Sequence, residues 1–181
     1  MRSLKTEHIV FAGLFISIVF VATYFIQIPT TGISGGLIHL GNIAMFSIAL
    51  KYGKKYGALS GGIGMMMFDL FSAWFVWAPA TLIVRGTMGF VIGFISQDKN
   101  GQGSNIYKNV IAIVIGSVVM LLGYFVFEAS VLGIGWAAIA SVPGNLVQIT
   151  IGLIALGLVP FLPNMKSEEK WKLTIKRENW E

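Results

Sequence analysis

The 181-residue chain contains no cysteine. A disulfide framework, a thiolate metal site and a cysteine nucleophile are thereby excluded. Charge is also scarce: 12% of residues are Asp, Glu, Lys or Arg against 55% hydrophobic, too few to cover the surface of a soluble domain. Histidine occurs twice, and neither His8 nor His39 has a second histidine or thiolate at metal-ligand spacing. No Ser/His/Asp set, phosphate-binding loop or pair of carboxylates at catalytic spacing occurs. The sequence therefore calls for no enzyme, no cofactor and no metal. An internal repeat is missing as well, which weighs against a self-sufficient ion-coupled transporter.

What the chain does have is long apolar runs. A helix needs about 20 mostly apolar residues to cross a hydrocarbon core of about 30 Å, and these runs lack the period-2 alternation of barrel strands. The expected fold is an all-α membrane protein of six transmembrane helices over about 6–27, 38–51, 55–76, 79–96, 106–128 and 136–162. Together these form one membrane domain, 1–165, followed by a cytoplasmic tail, 166–181, with Trp171 and Trp180 suited to the headgroup interface. The second helix is short for a span. Arg2 and Lys5 before an apolar run resemble a signal peptide, but the run is too long and Ile28-Pro29-Thr30 is no small-residue cleavage site, so a retained helix is expected.

Orientation follows from the basic residues. Arg2/Lys5, Lys51/Lys54/Lys55, Lys99/Lys108 and Lys166 through Arg177 occupy alternate loops and both ends, whereas loops 28–37, 77–79 and 129–135 hold no Lys or Arg. The positive-inside rule then puts both termini in the cytoplasm of a multi-pass cell-membrane protein. It also accounts for the net charge of +5 without a nucleic-acid partner.

Ionisable residues within lipid are costly and usually face a cavity or one another. Asp69 lies fourteen residues after Lys55, and Arg85 fourteen before Lys99. At 1.5 Å rise per residue both sit roughly 20 Å above the inner boundary, on consecutive helices. They form either a packing pair or part of an outward pocket. Ser72, Ala73, Val76 and Trp77 share the Asp69 face, and Thr81, Met88 and Gly89 share the Arg85 face. Ser141, Asn145, Gln148 and Gly152 make a third polar or small face at that depth, near the helix-weakening Pro143-Gly144 step. Trp74 and Trp77 fit an aromatic belt or a ring-stacking contact. His39 and Asn42, at the start of the second helix, are further candidate ligand contacts. Glu128, about 30 Å above Lys108, is expected at the outer water interface. Gly57/Gly61 and Gly89/Gly93 are small-xxx-small pairs suited to close helix packing.

The layout resembles the substrate-binding S components of energy-coupling factor (ECF) vitamin transporters. The resemblance spans about residues 5–162. It rests on the six short-looped helices, the Gly-rich first outer loop leading to Ile38-His39-Leu40-Gly41-Asn42, the Gly57-to-Asp69 stretch, and Ala78-Pro79-Ala80-Thr81-Leu82-Ile83-Val84-Arg85-Gly86. It is most similar to the branches for hydroxymethylpyrimidine, pyridoxine-like or riboflavin substrates. Membership implies an outward pocket capped by the first outer loop, and a complex with a transmembrane T component and two ATPase subunits. It also implies a small-residue docking face on helix 1. Here Ala12 is followed by Ile16, and the neighbouring Gly13/Ser17 pair keeps the small-xxx-small spacing. The expected function is capture of a small water-soluble vitamin or precursor, hydroxymethylpyrimidine or pyridoxine first and riboflavin as the alternative. In a rival class, an accessory membrane protein, Asp69 and Arg85 would serve only as a lock.

Overall fold

The computed structural model describes residues 2–25, 27–29, 37–97 and 103–164. The Gly-rich loop Thr30 to Gly36, Lys99 and the tail with Trp171 and Trp180 lie outside the described residues. Helix α1 spans Arg2–Phe25, and strands β1 (Gln27–Pro29) and β2 (Leu37–His39) follow. Next come α2 (Gly41–Tyr52), α3 (Lys54–Leu70), α4 (Ala78–Ser96) and α5 (Ile106–Val126). The C-terminal span is built from α6 (Val142–Gly152) and a short α7 (Ala155–Leu158), with tighter 3-10 turns at either end.

Among the described residues four stretches are long and apolar enough to cross a membrane: Thr6–Phe25, Phe75–Ser96, Ile106–Val131 and Gly135–Phe161. Their outer surfaces are inside-out relative to a soluble protein. Ile9, Val10, Leu14, Ile18 and Phe25 on α1, and Ile111, Val114, Val118 and Leu122 on α5, are exposed large apolar side chains, a surface that requires lipid. Helix α2 is the opposite case. Met45, Phe46, Ile48, Ala49 and Leu50 are all buried, and its twelve residues pack against α1, α3, α4 and α6 as the centre of the bundle.

Three segments depart from the expected continuous helices, each for a local reason. The helix expected over 38–51 starts at Gly41, because Leu37–His39 pairs antiparallel with Gln27–Pro29, Gln27 opposite His39. Gly41 packs so closely on the buried Thr23 hydroxyl that a Cβ would strike it, so the chain enters α2 at a fixed point beneath the hairpin. The helix expected over 55–76 ends at Leu70. The Ser72 hydroxyl donates back to the Asp69 carbonyl at 3.3 Å and accepts from the Trp74 N–H at 3.2 Å, replacing the helical ladder with a turn that leads into the 3-10 segment Phe75–Trp77. The helix expected over 136–162 is interrupted. Gly133 and Gly135 have positive φ, Gly135–Ser141 is 3-10, and Pro143 falls in the first turn of α6, where its missing N–H costs nothing.

Between α3 and α4 the small-xxx-small pairs meet face to face. A Cβ on Gly57 would lie 2.5 Å from the Gly89 carbonyl oxygen, and one on Gly61 3.0 Å from that of Arg85. Backbone contacts backbone along this seam, which brings the Asp69 and Arg85 helices together at the outer half of the bundle.

Candidate functional site

The Asp69 end of α3, the Arg85 end of α4, strand β2 and the adjoining ends of α5 and α6 line a cavity of about 90 Å³. Its wall includes His39, Asp69, Trp74, Trp77, Arg85, Asn145 and Gln148, seven of the residues singled out from the sequence, together with Thr23, Thr81, Tyr124, Glu128 and Ser141.

Arg85, 3% exposed, organises one side. Its Nε donates to the Tyr124 hydroxyl at 3.1 Å, one terminal nitrogen to Asn42 Oδ1 at 2.6 Å and Met120 Sδ at 3.1 Å, and the other to Gln148 Oε1 at 2.8 Å. The Tyr124 ring also stands 5.3 Å from the guanidinium carbon, and its hydroxyl is 3.0 Å from that of Thr81. Every partner is uncharged. An Asp69–Arg85 pair, one of the two readings of the sequence, is not among the hydrogen bonds that satisfy this cation. The fork of donors that makes arginine suited to several planar acceptors is spent on α2, α5 and α6. Gln148 carries the network onward, its Nε2 donating to the Leu37 carbonyl of β2. One amide thus links the buried cation to the hairpin. Gln148→Ala is expected to speed amide hydrogen exchange at Ile38 and His39 about tenfold or more by mass spectrometry, without unfolding the helices.

Asn42 is fully buried and stands behind Arg85, outside the cavity wall. His39 does reach the wall. Its Nδ1 accepts the Gly41 N–H at 3.1 Å, which assigns the ring proton to Nε2. Burial, with Arg85 as a lesser cause, lowers its pKa to about 3 and keeps the ring neutral.

The opposite side is acidic and aromatic. Asp69, 8% exposed, lies beside Thr81, and its Oδ2 has no hydrogen-bond partner among the described residues. Glu128 departs from its expected place at the water interface. It is also 8% exposed and turned into the wall, where Oε1 accepts the Trp77 indole N–H at 3.3 Å and Oε2 has no partner among the described residues. It lies one turn beyond Tyr124 on the inward face of α5, and the widened π turn Phe127–Val131 continues that helix. Trp74 and Trp77 meet edge to face at 5.2 Å. Tyr124 was missed from the sequence and Glu128 was placed by depth alone, although Ser117, Met120, Tyr124 and Glu128 repeat at helical spacing on one face of an otherwise apolar helix. Among the described residues no group of three His, Asp or Glu side chains could hold a metal.

A cavity of this kind, polar and walled by the ends of spanning helices, has the chemistry of a small-solute site. The family of S components of ECF-type riboflavin transporters matches residues 3–166. The chain belongs to this family. An S component is a substrate-binding subunit for vitamin uptake, not an enzyme, and this one is a multi-pass helical protein of the cell membrane. Among its relatives is the "Thiamine precursor transporter HmpT" of Lactococcus lactis subsp. cremoris, 23% identical over 154 residues, covering 85% of this chain and 86% of that one. An "Uncharacterized protein in gap 3'region" of Pyrococcus woesei is 30% identical over 137 residues, 76% of this chain and 88% of its own. On the S component's first helix, Gly13 and Ser17 are exposed and Ala12 is half-buried. The Ser17 hydroxyl is tied to the Gly13 carbonyl at 2.9 Å.

Proposed function

We propose that this S component captures hydroxymethylpyrimidine or a pyridoxine-like vitamin from outside the cell, for import by a complex with a T component and two ATPase subunits. The observation that carries the reading is the polarity of the cavity, whose wall offers hydrogen-bonding groups and aromatic faces on several sides of a small heteroaromatic ring. His39, Asp69, Arg85, Asn145 and Gln148 supply the polar environment, with Asn42 holding Arg85 from behind, and Trp74 or Trp77 covers a ring face. A relative named for a thiamine precursor favours the pyrimidine. The description of the matching family favours riboflavin as the second reading.

Six spans with both ends in the cytoplasm agree with the basic residues, which avoid the loops beside the cavity. The small face at Ala12, Gly13 and Ser17 suits close approach of a T-component helix.

Mass spectrometry of small molecules co-purifying with the protein, followed by calorimetry with pyrimidine, pyridine and flavin ligands, tests the assignment. A single-ring vitamin bound with saturable quenching of tryptophan fluorescence is the expected result. No bound vitamin and no affinity for any of the three classes would defeat it. The rival lock is tested by Asp69→Asn with Arg85→Gln: a folded protein with full uptake favours the lock, and a folded protein that no longer binds favours the pocket.

A further inference from the structure

The network around Arg85 leaves two acceptors in the cavity wall unused. Asp69 Oδ2 and Glu128 Oε2 are both buried and lack a hydrogen-bond partner among the described residues, and both side chains line the cavity. The cation nearby is committed elsewhere, since its fork is shared among Tyr124, Asn42, Met120 and Gln148. The second oxygen of Glu128 already has its donor in Trp77. Gln148 is engaged at both ends, by Arg85 on its oxygen and by Leu37 on its nitrogen. A buried acceptor without a donor is destabilising, and a charged one more so. The side of the cavity bearing Asp69 and Glu128 is therefore complementary to a ligand rich in N–H groups.

On the reading that this cavity is the vitamin site, we propose that Asp69 and Glu128 together select the ligand, and that it is an amine-bearing heteroaromatic ring, an aminopyrimidine by class. The exocyclic amine of such a ring carries two hydrogens, and a carboxylate only accepts, so amine and acidic wall match in hydrogen-bond sense. The polar edge of a flavin has the opposite pattern, one N–H flanked by two carbonyls. It would set acceptors against acceptors. Glu128 thereby acquires a ligand-contacting role, with Trp77 holding its other oxygen.

The test uses the full chain in detergent or nanodiscs, with calorimetry of 4-amino-5-hydroxymethyl-2-methylpyrimidine, its 4-oxo counterpart, pyridoxine and riboflavin. The amine is expected to bind, and the 4-oxo compound to bind about 30-fold more weakly or worse. Glu128→Gln supplies an amide N–H that can donate to the ring carbonyl. It should narrow the preference about tenfold, partly by a gain in affinity for the 4-oxo compound that misfolding does not produce. Asp69→Asn is the second variant, and each is checked by thermal melting. Equal affinity for the two pyrimidines, or a preference unchanged in both variants, overturns the proposal. Tighter binding of pyridoxine or riboflavin overturns it while leaving vitamin capture intact. Failure to bind any of the four defeats vitamin capture and this proposal together.

Discussion

Arg85→Met is expected to lower the melting temperature of the purified protein by roughly 10 °C or more and to abolish vitamin binding. Methionine preserves most of the volume and removes only the fork. What then fails is visible in the partners: Asn42 Oδ1, Gln148 Oε1 and the Tyr124 hydroxyl lose a donor in positions that water does not readily reach. Each neutral acceptor left buried without its donor costs on the order of 1–3 kcal/mol, and three acceptors share the loss. At a few degrees per kcal/mol that is a shift of about the stated size. Arg85→Lys separates charge from geometry. An ammonium keeps the positive charge but cannot reach acceptors on α2, α5 and α6 from one planar group, so the lysine variant should recover only part of the lost stability and little of the binding. Thermal melting monitored by tryptophan fluorescence, beside calorimetry with the pyrimidine, measures both effects. A methionine variant that melts within about 2 °C of the parent would mean that the bundle is held by apolar packing and that the network is incidental.

The site's depth was legible in the sequence and its connections were not. Counting residues from the basic loops put Asp69, Arg85, Asn145 and Gln148 in one layer, and all four line the cavity. That count works because rise per residue is fixed wherever the chain is helical. It fails where the chain leaves the α-helix: the three residues of β2 carry no period to tell them from the helix that follows. It is also silent on facing, so depth alone does not show that Glu128, one turn beyond Tyr124, turns into the cavity wall. The pairing of Arg85 with Asp69 followed from opposite charges at equal depth. Depth does not fix rotation about the helix axis, and the guanidinium is turned toward α2, α5 and α6 instead. The small-residue pairs on α3 and α4 were legible as close-packing signals, but only the folded chain sets the two pairs against each other.

That seam supports the other large effect. Gly89→Ala is expected to destabilise the protein by about 3 kcal/mol, and Gly89→Val to prevent recovery of folded protein. The added Cβ of either would fall on the Gly57 carbonyl, an atom of the opposing helix backbone that cannot rotate aside as a side-chain end would. Overpacking a rigid interface costs about 1–3 kcal/mol even where neighbours yield, so the upper end applies here. The consequence extends to the ligand. Gly89 lies one turn below Arg85, and spreading α4 from α3 also separates Arg85 from Asn42, whose contact at 2.6 Å has little tolerance. Gly89→Ala should therefore weaken vitamin binding although residue 89 does not line the cavity. Gly13→Ala is the matched control, since a Cβ there meets nothing within 4 Å. It should leave vitamin affinity unchanged and raise the melting temperature slightly, since alanine is the better helix former, and Gly13→Leu on the same face should reduce co-purification of the T component while still binding vitamin. Equal gains of stability at positions 13 and 89 would show that glycine acts through backbone entropy alone, and the close approach of α3 and α4 would then have no energetic role.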